Sequence, residues 1–278
     1  MSITRRSFLN ASLVTSAATV LVRTSLGAAE EPPTAGRDYY ELRSYRLKPG
    51  ASPALLHSYL EKALLPALDR CGVKPVGVFT EIEIDRKAAT STPKPDSPVW
   101  VLMPHASLDS FVKVSTQINT DPAVRKAGAD YLDVPKATPA FERIDSWLYL
   151  AFTGMPRLAV PAFSASRVAT RVFEMRDYES HSELKALNKI AMFNAGEIDL
   201  MKELGMSPVF YGQGLAGPNL PHLRYVTSAP DLATHFANWQ KFGPHPGWAK
   251  LKNDPQYADN TSKTGPSIFL APTAYSAI

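Results

Sequence analysis

The sequence predicts an α+β fold in which two ferredoxin-like β-α-β-β-α-β units, arranged in tandem, close into one intramolecular α/β barrel. The first observation behind this prediction is a strand motif, "YELRSY", that returns 133 residues later as "FEMRDY". The second is that helix and strand signals follow each copy in the same order. The third is a charged and phenolic row on each strand, formed by Glu41, Arg43 and Tyr45 in the first copy and by Glu174, Arg176 and Tyr178 in the second.

Two further stretches keep the same offset. "GVKPV" at Gly72 corresponds to "GMSPV" at Gly205, and "NTDP" ending at Pro122 corresponds to "KNDP" ending at Pro255. A constant offset over three separated stretches predicts two copies of one unit. The predicted domains are a signal peptide at 1–29, a linker at 30–37, a first unit at 38–152, a Pro-containing linker at 153–169 and a second unit at 170–278.

Each first strand is followed by a helix with clear end signals. In the first copy, a strand at 39–45 precedes a helix that Ser52 caps and Gly72 ends. In the second copy, a strand at 171–178 precedes a helix that Ser180 and Glu183 begin as a capping box and Gly205 ends. The later predicted elements are strands at 75–84, 99–103 and 141–151 with a helix at 107–118, and strands at 208–212, 223–227 and 267–275 with a helix at 230–241.

The polar rows are predicted to line the barrel. Helices cover one face of each sheet, and a covalent tandem favours closure of the two bare faces because each sheet is held near its partner. Leu42 and Met175 are then expected to face the helices, and the Glu-Arg-Tyr rows to face the lumen. Arginine paired with glutamate offsets the cost of burying charge and leaves donors for an anionic or carbonyl-bearing guest. The alternative is an internal ion-pair ladder, with ordered water, that sets the strand register.

The composition excludes several classes of function. A net charge of +4, from 30 basic and 26 acidic residues without a dense basic run, does not predict a nucleic-acid partner. The single cysteine, Cys71, excludes an internal disulfide and a Cys-based zinc site, and is predicted to be a small buried residue.

The first 29 residues are predicted to be an export signal. Arg5 and Arg6 precede Phe8 and Leu9, a mild apolar stretch and a group of small residues, an arrangement that resembles the bacterial twin-arginine (Tat) signal. The apolar stretch is too short and too rich in Ser and Thr for a stable membrane span. The protein is therefore expected to use the Tat translocon and to be periplasmic or otherwise exported. A basic amphipathic N-terminus is the alternative.

Other motifs carry weaker signals. No two of the six histidines form an i, i+4 pair with a nearby acid, so no metal site is predicted. His245 and Trp248, in "GPHPGW", are predicted to edge the lumen pocket. "GQGLAG", from Gly212 to Gly217, spells the dinucleotide-binding pattern, but Pro218 follows at once and prevents a helix from beginning there. This stretch is predicted to be a loop.

"YELRSYRLKPG", with a helix behind it and "GVKPV" opening the next strand, resembles the NIPSNAP family. "ANWQKFGPHPGWAKLKNDPQY" in the second copy resembles the C-terminal half of that family's domain. The resemblance covers both copies and implies the dimeric α/β-barrel fold, but it implies no single chemistry. The first copy has "STQINTDPAVRKAG", without the tryptophans, so the resemblance does not imply two equivalent sites.

Three functions are open on the sequence. The first is an exported NIPSNAP-like protein that binds a small molecule in the barrel lumen and needs no cofactor. The second, by analogy of fold, is a cofactor-free or haem-dependent monooxygenase or an isomerase-like enzyme. The third is a structural module that binds a partner through its outer helices. A homo-oligomer is not required for any of them, because one chain can complete its own barrel, although barrels can still stack.

Overall fold

The structure is a computed structural model, and it describes residues 36–278. The first half contains strands β1 (Tyr39–Arg46), β2 (Gly77–Asp85), β3 (Thr90–Pro93), β4 (Val99–His105) and β5 (Arg143–Ala151), and helices α1 (Ala54–Tyr59), α2 (Leu65–Arg70), α3 (Leu108–Gln117), α4 (Pro122–Ala127) and α5 (Ala129–Leu132). Helix α6 (Ala162–Ala165) lies in the connection between the halves. The predicted signal peptide and most of the first predicted linker lie outside the described residues.

The second half contains strands β6 (Val172–Glu179), β7 (Ser207–Ala216), β8 (His222–Ala229), β9 (Lys263–Thr264) and β10 (Ile268–Pro272), and helices α7 (Glu183–Met192), α8 (Ile198–Glu203), α9 (Leu232–Phe242) and α10 (Pro246–Lys252). A π-helical turn joins α1 to α2 at Leu60–Leu64, and another joins α7 to α8 at Phe193–Glu197. The two turns are 133 residues apart, so the halves share this irregularity. Among the described residues, no helix combines the length and apolar character needed to cross a bilayer.

Local side chains explain where the helices begin and end. Ser107 accepts a hydrogen bond from the backbone N–H of Ser110 at the start of α3, and Asp231 does the same for Thr234 at the start of α9. Gly205 ends α8 with a φ of +78°, a conformation that glycine adopts without steric cost. The prediction of Ser180 as the cap of α7 is wrong. Ser182 caps that helix, and the Ser180 hydroxyl donates to the Asn260 carbonyl instead.

Eight strands form a closed antiparallel ring in the order β10-β2-β4-β1-β5-β7-β8-β6, and β10 pairs with both β2 and β6. Within each half the order is fourth, first, third, second, which is the ferredoxin-like arrangement. The halves join at two seams, where Leu150 of β5 faces Gln213 of β7 and Ala271 of β10 faces Thr80 of β2. The predicted fold class, an intramolecular dimeric α/β barrel, is confirmed.

The lumen of the barrel is mostly filled by large apolar side chains from both halves. An eight-stranded barrel has an interior just wide enough for its own side chains, and here the strands fill it with aromatic and branched residues. Its central side chains are Tyr40, Leu42, Phe79, Leu102, Phe173, Met175, Phe210, Val226 and Leu270, with the C-terminal Ile278 packed against them.

The predicted orientation of the strand rows is therefore wrong. Leu42 and Met175 face the lumen, and the residues predicted to line it lie on the helix-covered side or among the outer helices: Glu41, Arg43, Tyr45, Glu174, Arg176, Tyr178, His245 and Trp248. The physical reason is that closure buries both faces of the sheet. Apolar residues then fill the narrow interior, and the charged row finds partners among the polar side chains under the helices.

Two smaller predictions also fail. The glycine-rich stretch at Gly212 is not a loop, because β7 continues through it to Ala216 and pairs with β5. Cys71 is exposed rather than buried, since it follows the last turn of α2 where the chain leaves the helix layer.

A packed lumen predicts a strong effect of Leu42→Ala. Leu42 is only 3% exposed, and truncating a buried leucine lowers the free energy of unfolding by about 2–5 kcal/mol. Leu184, which is 74% exposed, provides the matched control, and Leu184→Ala is expected to change that free energy by less than about 0.5 kcal/mol. Urea denaturation measures both. Equal, small effects would mean that the lumen is an open cavity.

Candidate functional site

Each Glu-Arg-Tyr row lies between its sheet and the helices of its own half. In the second half, Glu174 on β6 accepts a hydrogen bond from the indole Nε1 of Trp239 on α9 at 2.8 Å. His235 lies one turn earlier on the same helix, and its Nε2 is 3.0 Å from the same carboxylate oxygen, Glu174 Oε2. These contacts with α9 show that the row lies on the helix-covered face of the sheet.

In the first half, each of the three nitrogens of the arginine has a partner on its own strand. Arg43 donates from Nε and Nη2 to the two oxygens of Glu41, at 2.5 and 3.1 Å, and Nη1 lies 3.5 Å from the Tyr45 hydroxyl. Glu41 also accepts from Ser146 on β5. Bidentate pairing of this kind satisfies both partners, so the first row resembles the ion-pair ladder considered as the alternative.

In the second half, the arginine is held less completely. Arg176 donates from Nη1 to Glu174 Oε1 at 3.0 Å, and its Nε is buried without an acceptor among residues 36–278. Its guanidinium lies over the Trp239 ring, 4.6 Å from the centroid. The side chain is 22% exposed, so Arg176 combines unused donors with access to solvent.

Trp239 accounts for the difference between the two arginines. A carboxylate has two oxygens, and in the second half the indole and His235 both approach Oε2 of Glu174, leaving Oε1 for Arg176. Helix α3, which covers the first half, contains no tryptophan, and Glu41 offers both oxygens to Arg43. The same strand motif therefore produces a closed ion pair in one half and a partly free guanidinium in the other.

A second buried ion pair lies beside Arg176. Lys189 on α7 donates to Glu197 at 2.9 Å across the π-helical turn, and both side chains are almost fully buried. The Lys189 ammonium also lies over the rings of Phe193 and Trp248, contacts that favour a cation. Burial raises the pKa of Glu197, and the nearby Lys189 charge opposes that rise.

Phenols complete this layer of the second half. The Tyr178 and Tyr225 hydroxyls are 3.0 Å apart, and Tyr225 stacks on Tyr211. Burial raises the pKa of Tyr225 well above its usual range, so this phenol stays neutral and can donate. Burial disfavours the charged form of Arg176, but Tyr225, Tyr178 and Glu174 outweigh burial and raise its pKa. The site therefore offers a permanent cation among neutral O–H groups and aromatic rings.

Sequence reasoning found part of this site. Glu174, Arg176, Tyr178 and Trp248 do lie in one layer. His245 is instead the N-cap of α10, where its Nδ1 accepts a hydrogen bond from the Gly247 backbone N–H. The residues that sequence reasoning did not assign to the site are His235, Trp239, Lys189 and Glu197. A histidine and a tryptophan four residues apart mark one face of a helix, and that spacing was the available signal. Among the described residues, no cluster of three or more His, Cys, Asp and Glu side chains could hold a metal ion.

Comparisons with known proteins agree with the fold. The model of the NIPSNAP family matches residues 173–277, which comprise nearly all of the second half. A candidate monooxygenase from Lactobacillus acidophilus NCFM is similar at 4% identity, over 85% of this chain and 94% of that chain, with a TM-score of 0.50. A candidate monooxygenase from Fusobacterium nucleatum subsp. nucleatum ATCC 25586 is similar at 7% identity, over 85% and 92%, with a TM-score of 0.50.

An uncharacterized NIPSNAP-like domain protein from Burkholderia xenovorans is similar at 16% identity, over 38% of this chain and 89% of that chain, with a TM-score of 0.34. The comparison with curated proteins gave no match. The chain is thus a dimeric α/β-barrel protein with a NIPSNAP domain match in its second half. At such low identities, the likeness to solved structures shows the fold alone.

The contacts of Glu174 predict a pH-dependent contribution to stability. Burial alone would raise the pKa of Glu174, but His235 and Arg176 outweigh burial and lower the pKa from 4.5 to about 2. A carboxyl group whose pKa is lower in the folded state stabilises the protein at pH values above its unfolded-state pKa. This stabilisation is lost as the pH falls through the folded-state pKa. We therefore expect Glu174→Gln to be less stable than the wild type by up to about 3 kcal/mol above pH 5.

That difference is expected to shrink as the pH falls toward about 2. Denaturant unfolding at a series of pH values measures it. Glu83→Gln, at an exposed position on β2, is the matched control and should leave the profile unchanged. A difference between Glu174→Gln and the wild type that is constant over the whole pH range would contradict the assignment.

Proposed function

We propose that this protein binds a small anionic molecule, carrying an aromatic ring, in the helix-covered layer of its second half. The single observation that supports the proposal is the Arg176 guanidinium, which is charged, partly exposed and bonded to the protein through Nη1 while its buried Nε lacks an acceptor. An arginine has five N–H donors, and those left over can receive a carboxylate or a similar oxyanion.

The surroundings of Arg176 favour an aromatic body behind the anionic group. Trp239 lies against the guanidinium and Tyr178 lies 5.9 Å from it, so a ring entering this layer would meet aromatic faces and edges. The Lys189–Glu197 pair is internally neutral and buried. Arg176 is therefore the group expected to select for negative charge.

This proposal moves ligand binding out of the lumen, where the sequence predicted it. The packed aromatic interior leaves little room at the centre of the barrel. Binding under the helices uses the second-half residues of the predicted site and drops those of the first half, because Arg43 already has partners for Nε, Nη1 and Nη2. The enzymatic and partner-binding hypotheses remain hypotheses, since no contact in the site favours either.

Haem remains a hypothesis for this protein. One nitrogen of a histidine can hold haem iron while the other hydrogen-bonds to a carboxylate. His105 and His235 contact Glu41 and Glu174 through Nε2, and His222 contacts Tyr149 through Nε2. The binding of an anion at Arg176 requires no haem.

Export through the Tat translocon to the periplasm is also proposed, on the sequence of residues 1–29 alone. The twin arginines, the short apolar stretch and the small residues that follow support it. A Tat cargo crosses the membrane folded. A barrel whose two halves must pair with each other along two seams is suited to folding before export.

Removing the Arg176 side chain is expected to abolish preferential binding of aromatic anions. In a thermal-shift and calorimetric screen with benzoate and salicylate, and with benzyl alcohol as the uncharged probe, the wild type should bind only the anions. Arg176→Ala should weaken binding at least about tenfold, because a hydrogen bond to a charged group contributes about 1.5–3 kcal/mol. Arg43→Ala is the matched control and should bind as the wild type does. Equal losses in both variants, or no binding by the wild type, would refute the proposal.

Replacing both signal arginines tests the export proposal. The double variant Arg5→Lys, Arg6→Lys keeps the positive charge but removes the twin-arginine pattern. In a Tat-competent bacterium, we expect the wild-type chain in the periplasmic fraction and the variant in the cytoplasm. Equal amounts of both chains in the periplasm would exclude Tat-dependent export.

A further inference from the structure

A cavity of about 330 Å³ lies where the β2–β3 hairpin of the first half meets the second half. The hairpin contributes Ile82 and Ala89, which pack against the cluster formed by Val172 and Leu232 of the second half. Ala271 of β10 completes this apolar part of the wall. The cavity is therefore lined by both halves, and its aliphatic wall suits a small apolar group.

Arg171, directly before β6, contributes a positive charge to the cavity wall. The residue is only 9% exposed. Its Nη1 donates to the Val168 carbonyl at 2.9 Å, whereas Nε and Nη2 have no acceptor in the described part of the chain. A buried guanidinium with unused donors is costly. Nε is fully buried and Nη2 is not, so Nη2 is the donor that a ligand in the cavity can reach.

Arg171 also lacks the carboxylate partner that the strand arginines have. Arg43, Arg176 and Arg224 each form an ion pair with an acidic side chain of their own half. Burial and the nearby charge of Arg167 both lower the pKa of Arg171, and no acidic group opposes them. Within residues 36–278, the Arg171 guanidinium therefore has no negative counterpart.

Asp231 contributes a negative charge to the wall of the same cavity. It is the N-cap of α9, where its Oδ1 accepts a hydrogen bond from the Thr234 backbone N–H at 2.7 Å. Its Oδ2 has no donor among the residues that the structure describes. The segments that lead to the two charges lie side by side, because the Thr170 hydroxyl donates to the Pro230 carbonyl at 2.8 Å. The cavity thus presents one unpaired charge of each sign.

The first half has neither of these charges at the corresponding places. The residue 133 positions before Arg171 is Asp38, and Asp38 pairs with Arg157. The N-cap of α3, the helix that corresponds to α9, is the uncharged Ser107. The internal repeat therefore does not duplicate this pair of charges, and the chain has one such cavity among its described residues.

We propose that this cavity binds a small α-amino acid with an aliphatic side chain. The carboxylate accepts from Arg171 Nη2, the ammonium group donates to Asp231 Oδ2, and the side chain lies against the apolar wall. A zwitterion suits the cavity better than a simple anion, because Asp231 repels an uncompensated negative charge. Both halves contribute to the wall, so the site requires the closed barrel. It shares no residue with the Arg176 layer and does not depend on the proposed function.

Three probes with the same aliphatic group test whether both charges of the ligand are needed. L-Valine carries both, 3-methylbutanoate lacks the ammonium group, and 2-methylpropylamine lacks the carboxylate. In calorimetric titrations of the full chain, we expect valine to bind at least about tenfold more tightly than either analogue, since each analogue leaves one charged group of the cavity unpaired. Equal binding of the three probes, or no binding of valine, would overturn the proposal.

Two variants locate the binding. Arg171→Gln and Asp231→Asn should each weaken valine binding at least about tenfold, and asparagine still caps α9. Asp231→Asn should not weaken the binding of 3-methylbutanoate. Arg167→Gln is the matched control and should bind valine as the wild type does, because Arg167 lies near Arg171 but does not line the cavity. Valine binding that survives both cavity substitutions would refute the site. Benzoate binding at Arg176 is independent of that outcome, so the two proposals can fail separately.

Discussion

The structure depends on the backbone pairing of β10 with both β6 and β2, matched on the other seam by the pairing of β5 with β7. These contacts close the ring, so none of its eight strands leaves an unpaired edge. Closure also buries both faces of the sheet, one under helices and the other in the lumen. Every charged strand residue must then find a partner inside the protein, and the ion pairs follow from that requirement.

The two halves meet this requirement differently although their strand motifs are the same. Glu41 gives both oxygens to Arg43, whereas Glu174 divides its oxygens between Arg176 and the side chains of α9. One tryptophan on a covering helix thus leaves the arginine on the strand beneath it with fewer hydrogen bonds to its glutamate. The internal symmetry of the fold therefore does not extend to its chemistry.

The interior of the barrel also contains charge. Aromatic and branched side chains pack its centre, while Asp177 and Arg224 form a buried charged pair where β6 finishes and β8 begins. Burial lowers the pKa of His222, so that side chain adds no charge at neutral pH. Arg224 lies against Trp147 and Tyr149 of the first half. A group as polar as a guanidinium is stable there only because the aromatic rings and Asp177 surround it.

The sequence alone determined the β-α-β-β-α-β order of the main elements in each half, the offset of 133 residues and the approximate bounds of the main helices, because periodicity, capping residues and glycines act over a few neighbouring positions. It also determined that Glu41 and Leu42 face opposite sides of β1, since strand side chains alternate. Which side faces the lumen was decided only by the tertiary structure. Closure leaves neither face of the sheet in water, so the alternation of side chains along a strand does not show which face is inside. The tertiary structure also decided that Arg176 keeps unpaired donors and that Arg224 contacts Trp147, since both features depend on side chains that are distant in sequence.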